Sequence, residues 1–208
     1  MPKIAVVGAG LTGLAAAIYL ERNKQEVVLY EASDRVGGRV TSDIVNGFIC
    51  DRGFQVINPS YSEIRRLKAL EGVDFSQINT NVRIDGIKYG TRHLLSDLAA
   101  LPKLREKVLN PFLKGVFLTD PKNIQKEIAN EITRSFLFGR PGVPDEGVRV
   151  FSENLADRVS NIQLNAVVEN ISKGKVSGNF GSEKYDAIIV ATDPTTSVQL
   201  TGEKEFVR

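Results

Sequence analysis

The chain has no tryptophan, a single methionine, one cysteine (Cys50) and one histidine (His93) among 208 residues. A lone cysteine excludes an intrachain disulfide, and one cysteine with one histidine argues against a zinc centre built from such ligands. So few thiols fit a reducing, cytoplasmic setting. Charge of one sign is lacking too: 27 basic against 25 acidic side chains leave +2, with no long run of either. Nothing there argues for nucleic acid or an acidic membrane surface as the main partner. Repeats and low-complexity linkers are missing, and so, after the first twenty residues, are apolar runs of membrane-spanning length. With 42% apolar residues, what remains is a globular chain able to bury a core, either one domain or one domain carrying an insertion.

The contested stretch is the first, KIAVVGAGLTGLAAAIYL, Lys3 to Leu20. As a membrane helix, residues 4–20 would reach about 25 Å of the roughly 30 Å hydrocarbon core, with three glycines in the middle. As a secretory signal it would need a cleavage site and a mature chain that makes sense without it, yet the alternation of elements runs straight on. The run divides better into a buried strand (KIAVVG), a turn Gly8-Ala9-Gly10-Leu11-Thr12-Gly13, and a helix beginning LAAAIYLER. Gly8 permits the turn out of the strand, Gly10 lets a pyrophosphate approach the backbone, and Gly13 lets helix and sheet pack closely. The exposed N–H groups of the helix start and its partial positive charge favour a phosphate bridge.

A GxGxxG turn alone is a weak signal, and its context strengthens it. After the polar turn RNKQ a second strand, EVVLYE, ends on Glu31, 18 residues past Gly13 and close to the roughly 20 expected of a ribose-binding acid. A carboxylate there accepts hydrogen bonds from ribose hydroxyls and repels a 2′-phosphate. The expected ligand is a dinucleotide ending in adenosine, with NADP disfavoured.

The next residues, EASDRVGGRVTS, place a glycine pair and an arginine just beyond the ribose acid. This stretch resembles the RxGGR element of the flavin-containing amine oxidase superfamily, which includes the phytoene desaturase-like enzymes; the matching residues are Arg35, Gly37, Gly38 and Arg39. Physically, the glycines let backbone pass beside the cofactor and the Arg39 guanidinium can engage the pyrophosphate in paired hydrogen bonds. GFICDRGFQVINPSYSEIRRL is similar to the family's segment along the flavin ring, with Asp51, Gly53, Phe54 and Gln55 in matching places. GRPGVPDEGVRVFSENLADRV resembles the desaturase-like branch, with Gly147-Val148 where a Gly-Met pair is expected. IQLNAVVENIS resembles the family's return to the cofactor domain, which implies that Val168 contacts adenine through its backbone. YDAIIVATD reads as a further buried parallel strand.

The resemblance implies an α/β architecture: a Rossmann-like FAD-binding domain with a parallel sheet, in two parts (residues 1–78 and 151–208), around a reduced α+β substrate-domain remnant (79–150). The implied FAD-binding residues are Gly8, Gly10, Leu11, Thr12, Gly13, Glu31, Gly38, Arg39, Gln55 and Val168. The implied activity is oxidation of a small or apolar organic substrate by hydride transfer to flavin, with the electron acceptor open and no metal needed. Relatives carry a longer middle and a further C-terminal portion, so the chain reads as shortened, and a non-catalytic FAD-binding module stands as the alternative. A nicotinamide-dependent dehydrogenase would leave the double-glycine stretch unused. Ser60 and Glu63 form an S-x-x-E capping box for a following helix. Ile124, Ile128, Ile132 and Phe136 predict an apolar helical stripe ending at Gly139. Cys50 reads as a small buried hydrophobe and His93 as structural or solvent-facing.

Overall fold

The computed structural model describes residues 1–53, 56–78, 81–84, 87–90, 106 and 110–203. In chain order the elements are β1 (Lys3–Val7), α1 (Leu11–Arg22), β2 (Glu26–Tyr30), β3 (Ser42–Val45), β4 (Phe48–Asp51), α2 (Ser62–Leu67), β5 (Phe75–Gln77), β6 (Asn81–Ile84) and β7 (Ile87–Gly90). There follow α3 (Asn110–Phe117), a 3-10 turn (Pro121–Asn123), α4 (Lys126–Phe138), β8 (Gly142–Pro144) and α5 (Arg149–Ala156). The last are β9 (Ile162–Gln163), β10 (Val168–Ser172), β11 (Lys175–Gly178), β12 (Gly181–Lys184), β13 (Ala187–Val190) and α6 (Pro194–Thr201). Two compact units result: Met1–Gln55 with Leu67–Asp74 and Pro144–Arg208, and Val56–Arg66 with Phe75–Val143.

The first unit is Rossmann-like. Its four-stranded sheet has the order β13-β1-β2-β9 and every pairing is parallel. Strand alternation sends Ile4 and Val6 to one face and Ala5 to the other, in register with Val27, Leu29 and Val28 of β2. Ala5, Val28 and Tyr30 pack with Ala166, Val176 and Tyr185 under the antiparallel meander β10-β11-β12. α1 lies along β1 and β2 and buries Gly13, Leu14, Ala17 and Ile18, so its small residues bring helix and sheet close. Strand β13 is parallel to β1 as the sequence suggests, but Ala187 is exposed and Ile188 to Val190 are half-buried, because β13 is an edge of the described sheet.

Beneath the meander a polar knot closes the core. Tyr30 and Tyr185 share a hydrogen bond of 2.5 Å, and both hydroxyls reach Glu183 Oε2, at 3.2 and 2.7 Å. Lys3 Nζ pairs with the other Glu183 oxygen. The Lys3 hydrogen bond, followed by that from Tyr185, holds the Glu183 carboxyl below its ordinary value of 4.5. Burial, with these hydrogen bonds, raises the Tyr185 phenol. A depressed carboxylate stabilises the fold fully above its ordinary value and loses that contribution as pH falls through the depressed one. The melting temperature should therefore drop on acidification below about pH 5, and less steeply in Glu183→Gln. Parallel melting curves for the two proteins across that range would refute the role of this ion pair.

The second unit contains the β6-β7 hairpin, in which Ile84 stands opposite Ile87, and the pair formed by β5 and β8. Several expectations need correction. α2 begins at Ser62, and the Ser60–Glu63 capping box does not form: Asn58 Oδ1 accepts the Ser60 N–H at 3.0 Å, while Glu63 reaches Arg66 at 2.6 Å. Asn58 also donates to Ser135 O at 2.8 Å, so one amide satisfies a turn and a helix end together. α4 starts at Lys126, leaving Ile124 outside it, and Ile128 is 46% exposed. Gly139 ends α4 with extended backbone (φ −76°); it is glycine for room, since a Cβ would lie 2.1 Å from Ser135 O. Cys50 is exposed rather than buried, because β3 and β4 form an isolated two-stranded hairpin whose tip also exposes Val45 and Phe48.

Candidate functional site: a cradle at the ends of strands β1 and β2

β1 delivers its last residue, Val7, level with Tyr30 of β2, so the turns that follow the two strands lie side by side. Gly8 leaves the strand at φ +101° and donates its N–H to Tyr30 O at 2.8 Å. A side chain there would be strained by the backbone and would also crowd Ala191 O at 3.0 Å. Helix α1 begins at Leu11, three residues earlier than the sequence pattern suggests, so Leu11, Thr12 and Gly13 form its first turn. Gly10 precedes it with no side-chain cap, and no acid lies in the first turn. The first helical bond runs from Leu14 N–H to Gly10 O at 3.0 Å, which leaves the preceding N–H groups for an outside acceptor. A Cβ on Gly10 would meet nothing within 4 Å, so open space faces this helix end.

Glu31 follows β2 directly and is half-buried. Its Oε2 accepts the Ala9 N–H at 2.8 Å, and its Oε1 accepts the Ser33 N–H at 3.0 Å and the Ser33 hydroxyl at 2.8 Å. The carboxylate thus ties the Gly-rich turn to the start of the next loop while keeping lone-pair capacity for a further donor. Its backbone carbonyl accepts Ala166 N–H at 2.9 Å, which brings the approach to β10 alongside. Val168, two residues on, is half-buried and opposes Gly178.

The third wall is the loop after Ser33. Gly37 donates its N–H to Ala9 O at 2.8 Å and forms a bridge with Gly10. Gly38, at φ +57°, comes so near that a Cβ on it would sit 3.5 Å from Gly10 Cα. Arg39 follows it and is exposed, whereas Arg35 is tied to Thr41 Oγ1 at 3.2 Å. Gly8, Gly10, Leu11, Thr12, Gly13, Glu31, Gly38 and Arg39 are therefore gathered round one opening, with Val168 on the strand that leads away from Glu31. Gln55, Phe54 and His93 lie outside the described residues.

Sequence reasoning missed Ala9 and Ser33. Ala9 acts through its backbone alone, accepting from Gly37 and donating to Glu31, and no side-chain pattern announces that. Ser33 had a readable signal in its spacing two residues after the acid, where serine commonly folds back on a neighbouring acceptor.

An uncapped helix start, an open glycine cradle, a half-buried carboxylate and an exposed arginine on the adjoining loop form a set that fits a dinucleotide. The family profile described as flavin containing amine oxidoreductase matches residues 11–136. Protoporphyrinogen oxidase 2 (chloroplastic/mitochondrial) of Arabidopsis thaliana is 42% identical over 65 residues, 31% of this chain and 13% of that protein. The solved structure of a Pyrococcus furiosus protein superimposes with a TM-score of 0.69 at 24% identity, covering 95% of this chain and 61% of the other. That of an oxidoreductase from Methanosarcina mazei gives 0.66 at 21% identity, covering 98% and 62%. These structural likenesses establish the fold, and the chain spans less than the full length of each relative. From the residues matched, the chain belongs to the flavin containing amine oxidoreductase family.

Proposed function

We propose that the chain binds FAD and serves a flavin-dependent oxidation of a small or apolar organic substrate. The observation that carries this reading is the open face of Gly10, set between the uncapped start of α1 and the Gly38-Arg39 loop. The N–H groups of Leu11, Thr12 and Gly13 would hold the pyrophosphate, aided by the helix dipole. Arg39 would clamp it from the opposite side, and Glu31 would accept from the adenosine ribose. Val168 would pass beside adenine. Bound in this way, FAD supplies a hydride acceptor, and the protein contributes orientation and the exclusion of water. We read the inserted region, residues 79–150, as substrate-side. The desaturase-like character of GRPGVPDEGVRVF favours an apolar substrate.

A visible spectrum of the purified chain with added FAD tests this first. Flavin absorbance that stays with the protein through gel filtration is the expected result, and a colourless protein would sink the proposal. Bleaching by amines or polyenes under anaerobic conditions would distinguish an oxidoreductase from a module that only carries FAD. Arg39→Ala should weaken FAD binding by roughly 10- to 100-fold through loss of a charge-assisted contact. Because Arg39 is exposed, the melting temperature of the FAD-free protein should stay unchanged. Wild-type affinity in that variant would remove Arg39 from the site.

A further inference from the structure

The hairpin residue Asp51 matches the family's flavin-side segment, and its carboxylate is engaged by the chain itself. Asp51 Oδ1 accepts the Ser42 hydroxyl at 2.5 Å and the backbone N–H of Val148 at 2.9 Å. Ser42 Oγ in turn accepts the N–H of Arg149 at 3.1 Å. These two donors open α5, whose own flanking residue Val148 provides no side-chain cap. Asp51 and Ser42, adjacent across the β3-β4 pair, therefore cap a helix distant in sequence. One turn on, the single Ser152 hydroxyl hydrogen is shared between Arg149 O at 2.9 Å and Val40 O at 3.1 Å. A Cβ on Gly37 would meet both Ser152 Oγ and Val40 O at 2.5 Å, so α5 presses directly on the glycine loop. Gly147, just before α5, is left-handed at φ +87°, and a Cβ on it would be 2.5 Å from Ser42 Oγ. That closeness is why glycine stands at the bend, whichever residue follows it.

Resting on the FAD reading above, we propose that Asp51 and Ser42 are positioning residues for the cofactor. They latch the first turn of α5 to the 37–42 loop and so hold Gly38 and Arg39 against the phosphate turn. The loop is thereby fixed at two places. Gly37 N–H joins it to Ala9 O on the cofactor side, while Ser42 and the Val40 carbonyl join it to α5 behind. Without the rear attachment, Arg39 would still be present but would no longer be held at the distance a paired contact with a pyrophosphate requires.

The test is FAD titration of the apo-protein with Asp51→Ala, Asp51→Asn and Ser42→Ala, each also combined with Arg39→Ala. Asp51→Ala should weaken FAD about tenfold, and Asp51→Asn, whose amide oxygen can still accept from Val148, should recover most of that. On the Arg39→Ala background Asp51→Ala should add less than about twofold, because the latch acts through Arg39. Apo-protein melting curves identify any variant that does not fold, and Ser42→Ala, expected to cost about fivefold, carries the test if Asp51→Ala is such a case. Unchanged affinity in the folded variants, or a full additional loss beside Arg39→Ala, would overturn the latch while leaving the FAD reading intact. Failure of the wild-type protein to bind FAD would overturn both.

Discussion

Gly13→Ala is expected to abolish FAD retention and to lower stability. In most helices this exchange is favourable by about 1 kcal/mol, since glycine is the poorer helix former. Here the added Cβ would lie 1.8 Å from Gly8 O, a rigid backbone atom, whereas ordinary contact begins near 3.4 Å. The start of α1 must retreat from the turn by more than an ångström, against a helix face that buries Leu14, Ala17 and Ile18. Overpacking of this kind costs about 1–3 kcal/mol, which outweighs the propensity gain. The retreat also displaces the N–H groups of Leu11 and Thr12 from the cradle. Gly10→Ala is the matched control: its Cβ meets nothing within 4 Å, so the fold should be unaffected while the methyl group fills the space a phosphate needs. Flavin absorbance ratio and thermal melts on both variants check the pair. A Gly13→Ala protein with wild-type flavin content would refute the packing argument.

The glycines of this turn show which features of the fold were legible. Gly8, Gly10 and Gly13 announce themselves because each answers a local demand, a turn, an approach and a close packing, within six consecutive residues. The parallel strands β1, β2 and β13 were legible for a similar reason: their apolar runs are short, β-branched and bounded by turn residues. The start of α1 was not, because Leu11, Thr12 and Gly13 look like part of the Gly-rich turn in sequence and yet are helical in the structure. Cys50 was misread because the strand-like apolar run FIC suggests burial, whereas β3 and β4 pair only with each other.

Long-range polar contacts were the least legible. S-x-x-E at Ser60 and Glu63 satisfies the local rule for a capping box, yet Ser60 lies in the turn before α2, where its N–H bonds Asn58, whose amide also reaches Ser135, 77 residues away. Asp51 looks like a site residue by its place in the chain, and the structure turns it toward Val148, 97 residues on. In both cases a side chain satisfies backbone donors or acceptors that only tertiary folding brings near. Such demands leave no periodic trace, and general polar satisfaction, not motif, decides them.

Glu31→Ala should lower both FAD affinity and stability, and the two losses have separable causes. The carboxylate accepts three protein donors, of which the Ala9 N–H belongs to a fully buried residue. Removing the acceptor leaves that N–H unpaired, at a cost of about 1–3 kcal/mol to the apo-protein. The ribose contact is additional, so affinity measured on the folded fraction should fall by roughly 10- to 100-fold. Glu31→Gln distinguishes the roles imperfectly, because its amide nitrogen would face either Ala9 N–H or Ser33 N–H, donor against donor. Adenosine nucleotides give a cleaner separation. The wild-type carboxylate should disfavour adenosine 2′,5′-bisphosphate relative to AMP, and in Glu31→Ala the gap should narrow as the charge repelling the 2′-phosphate is removed. Calorimetric titration of both nucleotides against both proteins measures this directly. An unchanged ratio would mean that Glu31 only braces the turn and that the ribose lies elsewhere; an unchanged melting temperature would mean instead that the Ala9 bond contributes nothing to the fold.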